Sequence, residues 1–186
     1  MNNFNFCVPT LFGLEGLASK ELSRLGLENV KADNGRVFFS GSLSDMVLAN
    51  LWLRTGERVL LVMGSFPATT FTELFEGVKS LPWESIIPKN GAFPVKGHSL
   101  NSKLFSIPDC QSIVKKAVVE RLKSKYSTSW FEETGSKYQI QFSIMKDQVS
   151  MCIDTSGAAL HKRGYRPAHN AAPLKETMAA AMVSLS

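Results

Sequence analysis

The residues that could do acid–base, nucleophilic or metal chemistry are scattered along this 186-residue chain. His98, His161 and His169 have no cysteine or acidic neighbours at metal-ligand spacing. Gly13 and Gly16 stand at a helix start without the rest of a phosphate-loop fingerprint. Ser156-Gly157 is a turn, because no G-x-S-x-G strand-to-helix pattern surrounds it. The Glu132-Glu133 pair, beside Trp130 and Phe131, reads as a solvated loop tip. No catalytic constellation is assembled.

Binding chemistry remains. Lys96, Ser99 and Lys103 fall in a stretch of glycine, serine and lysine that offers hydrogen-bond donors at a strand-to-helix connection. Lys116 and Lys123 lie on the far side of an amphipathic helix, with Lys115 and Lys125 flanking them. His161, Lys162, Arg163, Tyr165 and Arg166 crowd into six positions, where an aromatic between cations could stack a base while phosphates are neutralised. Charge agrees. Residues 1–95 carry 8 Lys/Arg against 9 Asp/Glu, and residues 96–186 carry 13 against 7. A basic half beside a neutral one points to an anionic partner, nucleic acid first.

These residues need a scaffold, and composition allows one. The chain is 44% hydrophobic and 20% charged, which suits a folded protein rather than a disordered one. The longest apolar run, from Val59 to Met63, is strand-sized, so no spanning helix is expected. Neither a basic nor an apolar signal region opens the chain at Met1 to Asn5. Cys7, Cys110 and Cys152 are odd in number and far apart, which fits free thiols in a reducing cytosol.

The spacing predicts a strand over 4–8, a helix over 14–25 ended by Gly26, and strands over 27–33 and 36–40 around the Asn34-Gly35 turn. A helix over 43–54, with Met46, Val47, Asn50, Leu51 and Arg54 on one face, and a strand over 57–66 complete βαββαβ, the ferredoxin-like order. The second block opens on a capping box, Thr70 with Glu73, before a helix that Pro82 ends. A strand over 92–98, a helix over 108–126 and a hairpin over 138–153 make its order αβαββ. Residues 167–173 read as a linker, and 174–186 as an Ala/Met-rich helix without an end signal.

The stretch Asp154-Thr155-Ser156-Gly157, then Leu160 to Arg166, then Ala172 to Ala181 resembles one particular junction. It is that of the THUMP-containing class I RNA methyltransferases, a group often labelled N6-adenine-specific DNA methylases. The resemblance implies an α+β chain: a ferredoxin-like domain over 1–66, a THUMP RNA-binding domain over 67–155, a basic linker over 156–173, and the start of a truncated Rossmann-type methyltransferase domain over 174–186. It implies structured RNA, rRNA or tRNA, as partner, and guanine N2 as the methylated position in the intact enzyme. S-adenosylmethionine would be the cofactor of that enzyme, with Leu174 and Thr177 beside its pocket. The motifs that resemble D-P-x-x-G-S-G and N-P-P-Y are absent, so this chain alone is expected to bind no cofactor and transfer no methyl group. A stand-alone RNA-binding module and a DNA adenine methylase are the alternatives.

Overall fold

A computed structural model describes residues 3–164 and 174–186. The chain divides into two compact units. One comprises Met1–Leu61 with Thr155–Ser186, and the other is Val62–Asp154.

The first unit contains β1 (Phe4–Pro9), α1 (Glu15–Arg24), β2 (Glu28–Asp33), β3 (Arg36–Gly41), α2 (Leu43–Trp52) and the first two residues of β4 (Leu60–Pro67). β1 is central: it pairs antiparallel with β3 from Phe4↔Gly41 to Pro9↔Arg36, and with β4 at Phe6↔Leu61. β2 flanks β3, giving the order β2-β3-β1-β4 of a ferredoxin-like fold. Alternation buries Phe6, Val8, Val37 and Phe39, and the Phe6 and Phe39 rings stack at 4.9 Å. Ala18 and Leu22 of α1 are fully buried. Gly35 adopts φ +71° in the β2–β3 turn, where a side chain would be strained, and its N–H donates to the Glu15 carboxylate at 2.8 Å.

Helix α2 keeps much of its apolar surface exposed. Ser42 caps it, accepting from the Asp45 amide while the Asp45 carboxylate takes the Ser42 N–H at 2.7 Å. Within the helix only Ala49 is buried, while Leu43, Val47, Leu51 and Trp52 stay at least half exposed. Val47 and Leu51, which the spacing sets on one face with Asn50 and Arg54, therefore lie outward.

The second unit contains α3 (Phe71–Ser80), β5 (Val95–Leu100), α4 (Ile107–Tyr126), β6 (Ile140–Met145) and β7 (Gln148–Asp154), with the remainder of β4 beside β7. β5 and β6 run parallel from Val95↔Ile140 to Leu100↔Met145, with α4 as their crossover. β6 and β7 form a hairpin, Ile140↔Ile153 to Met145↔Gln148. Its two-residue turn is Lys146-Asp147, both at positive φ, +51° and +62°. Leu74 and Val78 of α3, Val114, Val118 and Leu122 of α4, and Ile140, Phe142 and Ile144 of β6 are all buried, and α4 packs against both α3 and β5.

Two local expectations shift. Thr70 caps α3 through the Glu73 amide, but the Glu73 carboxylate accepts from the Thr69 N–H at 2.7 Å rather than from Thr70. The strand expected over 92–98 is β5, displaced toward Leu100. Pro94 has no N–H for a ladder, and its carbonyl instead accepts from the Ile140 amide at 2.9 Å and the Gln139 side chain at 3.0 Å. Trp83–Ser85 forms a 3-10 turn, and the buried Trp83 indole donates to the Val78 carbonyl at 2.7 Å.

Candidate nucleic-acid interface

Three groups of basic residues have distinct surroundings, two in the second unit and one in the first. Lys96 and Ser99, expected in a loop, sit within β5. Lys96 is exposed, but the Ser99 hydroxyl is buried without a hydrogen-bond partner among the described residues, so it offers no donor to solvent. Lys103 is exposed in the loop entering α4. That loop is held in place: the Lys103 amide donates to the Asp147 carboxylate at 2.7 Å, and the Asp147 amide donates to the Ser102 hydroxyl at 3.1 Å. The β6–β7 turn thus anchors the backbone that presents Lys103. Glu73, lowered below the usual carboxylate range by the Thr69 N–H and hydroxyl, also feels the positive charge of Lys103.

On α4 the three lysines separate. Lys115 is half-buried, pairs with Glu133 at 2.6 Å, donates to the Phe93 carbonyl at 3.1 Å and lies 3.6 Å from the centre of the Phe93 ring. Burial pushes Glu133 up, but the Lys115 ammonium and the Phe93 N–H outweigh it and hold the carboxyl below its ordinary value. Lys123 lies 3.7 Å from Glu120 of the same helix. Lys116 is exposed and faces the Phe75 ring at 5.8 Å, and Lys79 of α3 faces the same ring at 5.5 Å. Lys79 was not singled out in the sequence, because only the packing of α3 on α4 brings it to Lys116. Two ammoniums around one phenyl ring offer phosphate-binding charge without an acidic partner within 4 Å among the described residues.

The last basic stretch folds onto the first unit. The Ser156 hydroxyl accepts from the Val59 amide at 2.8 Å and donates to the Asn50 side chain at 2.7 Å, and the Leu160 amide donates to the Glu57 carbonyl at 2.9 Å. The Arg163 guanidinium donates to the carbonyls of Asn50 and Leu51 at 2.5 and 3.1 Å, at the C-terminal end of α2. A cation there satisfies orphan carbonyls and complements the helix dipole. Lys162 is exposed at the rim of a shallow groove of about 330 Å³ that Met46, Leu51, Ala158 and Arg163 also line. His161 is largely covered, with Nδ1 3.7 Å from a Glu57 oxygen. Tyr165 and Arg166 lie outside the described residues, as does His169.

Leu174 and Thr177, expected beside the cofactor pocket of the intact enzyme, have different surroundings here. Leu174 is 51% exposed, whereas Thr177 is 1% exposed and its hydroxyl donates to Glu57 at 3.3 Å beside the Lys175–Glu57 pair at 2.6 Å. These groups hold α5 (Glu176–Leu185) to the first unit. No cluster of three or more potential metal ligands exists among the described residues.

Two family models match the chain, the RlmL ferredoxin-like domain over residues 5–60 and the THUMP domain over residues 68–154. A Bacillus subtilis relative, YpsC, named as an RNA methyltransferase, is 48% identical over 188 residues, which cover 100% of this chain and 49% of that protein. A solved Listeria monocytogenes structure, described as an N6-adenine-specific DNA methylase, is 52% identical with a TM-score of 0.96. It too extends well beyond the match, which covers all of this chain and 49% of that one. SMU.472, described as a methyltransferase and solved with SAH, is 43% identical, with a TM-score of 0.93 over all of this chain and 49% of its own. The chain therefore spans about half the length of the relatives it matches.

Proposed function

From the premise that the chain belongs to the family that joins an RlmL ferredoxin-like domain to a THUMP domain, we propose that it is the RNA-holding part of an S-adenosylmethionine-dependent RNA methyltransferase. The observation that carries this reading is the THUMP match over 68–154, on a unit whose surface presents Lys96, Lys103, Lys116 and Lys79. These side chains suit phosphates, which fix position without reading sequence, so the RNA is recognised through shape and structured ends. The intact enzyme methylates guanine N2 in rRNA or tRNA, in the cytosol, where buried free thiols such as Cys7, Cys110 and Cys152 persist. The SAH held by SMU.472 supports S-adenosylmethionine as the methyl source, supplied to residues outside this chain.

The label of the Listeria relative keeps DNA as a second reading. Binding of the purified chain to a folded RNA and to a DNA duplex of equal length, measured by anisotropy from 50 to 300 mM salt, decides between them. Preference for the RNA at every salt concentration is expected. Equal affinity, or none for either, overturns the proposal. The finer assignment is read in cells, where deleting the gene should remove one N2-methylguanosine from ribosomal or transfer RNA.

A further inference from the structure

An exposed indole stands beside a cleft in the second unit, and none of the basic clusters accounts for it. Trp130 is 76% exposed, and the cleft, about 450 Å³, is lined by Lys89, Asn90, Thr128, Trp130 and Glu132. The loop bearing the indole is anchored on both sides of it. Before it, the Thr128 hydroxyl donates to the Trp130 carbonyl at 3.0 Å. After it, Phe131 packs edge-on against Phe93 at 5.8 Å, Glu133 accepts the Phe93 N–H at 3.0 Å, and the Gly135 amide donates to the Asn90 carbonyl at 2.8 Å. These bonds fix the backbone on both sides of the exposed indole, so the loop that presents it has less freedom to lose on binding.

We propose that Trp130 is a stacking platform for one unpaired nucleobase of the bound RNA, a subsite that rests on the RNA-binding reading above. The indole face accepts any base, and the Lys89 ammonium meets the neighbouring phosphate. The Glu132 carboxylate and Asn90 amide supply an acceptor and donors for the base edge, so bases with an exocyclic amino group are favoured.

The test uses the chain with Trp52→Phe, which removes the other exposed indole, since Trp83 is fully buried. A hairpin RNA with a short single-stranded adenosine tail should quench Trp130 fluorescence, and the same hairpin with a blunt end should not. Trp130→Ala should weaken the tailed RNA about tenfold or more, leave blunt-hairpin affinity and the salt slope unchanged, and be largely rescued by Trp130→Phe. Equal binding of tailed RNA by Trp130→Ala and its parent, or quenching that ignores the tail, overturns the platform and leaves the RNA-binding reading intact. If neither hairpin binds, both fail.

Discussion

Lys115 and Glu133 show how a residue's type can suggest one task and its neighbours assign another. Lysine on a helix face reads as available charge, yet Lys115 is spent on Glu133, the Phe93 carbonyl and the Phe93 ring. Glu133 and Glu84 should then govern acid stability. Both are held below their usual value of 4.5, Glu133 by Lys115 and the Phe93 N–H against its burial, and Glu84 chiefly by Arg121. A carboxyl depressed in the fold adds stability above its unfolded pKa, and that stability is lost as pH falls through the folded one. Urea unfolding of the wild type should therefore lose stability below about pH 4.5, and the double variant Glu84→Gln with Glu133→Gln should show a shallower loss from a lower start. Identical pH profiles would refute the assignment. Cys7 makes the converse case: burial pushes its thiol up to about 11. The native thiol should resist a thiol reagent at pH 8 and react only with unfolding. In alkali, stability should fall between pH 9 and 11, where the unfolded thiol ionises first. Rapid labelling of native Cys7, followed by mass spectrometry, would contradict the burial.

At the level of elements, the βαββαβ and αβαββ orders were legible in the sequence, because alternation in β3, β6 and β7 and the spacing in α1, α3 and α4 coincide with the faces the fold buries. The misses have physical causes. Periodicity sets Val47 and Leu51 on one face with Asn50 and Arg54 but does not say whether anything covers that face, and both lie outward. The expected strand over 92–98 starts later, after Pro94, and runs on to Leu100, so Ser99 lies in β5 rather than in a loop. Trp130 carried no periodic signal, being one aromatic in a polar connection. The parallel pairing of β5 with β6 was not legible either, and it imposes a constraint at Gly97. A Cβ there would lie 2.4 Å from the Phe142 carbonyl oxygen and 2.5 Å from its ring, with backbone on one side unable to yield. Gly97→Ala should lower stability by about 1–3 kcal/mol, read as a lower urea midpoint with an unchanged slope. Gly16→Ala, with nothing within 4 Å of the added carbon, is the control and should not destabilise. A Gly97→Ala protein as stable as the wild type would mean that β5 and β6 are not paired in this register.

Over the whole molecule, the charge asymmetry takes a different form once the units are counted as they fold. By sequence halves, the surplus sits wholly after residue 95. By compact unit, Met1–Leu61 with Thr155–Ser186 holds 10 Lys/Arg against 7 Asp/Glu, and Val62–Asp154 holds 11 against 9. The surplus is therefore shared, because the basic stretch near Lys162 and Arg163 folds back on the first unit. Phosphate contacts made by either unit should weaken with salt, each by a slope of about 0.7–0.9. Lys162→Ala removes an exposed cation with no acidic partner within 4 Å among the described residues. It should flatten the salt dependence of RNA binding by about one such step without moving the melting temperature. Arg163→Ala removes the donor to two carbonyls at the end of α2. It should lower the melting temperature, by about 1 kcal/mol of lost stability, whatever it does to RNA. Lys96→Ala, Lys103→Ala and Lys116→Ala combined should flatten the slope by about two to three units at unchanged stability, since exposed charges contribute little to folding. Lys20→Ala with Lys31→Ala, on α1 and β2, is the control and should change neither quantity. If that control flattened the slope as much as the three lysines of the second unit do, RNA binding would be a property of total charge. The placement of Lys96, Lys103 and Lys116 by β5 and α4 would then carry no functional meaning.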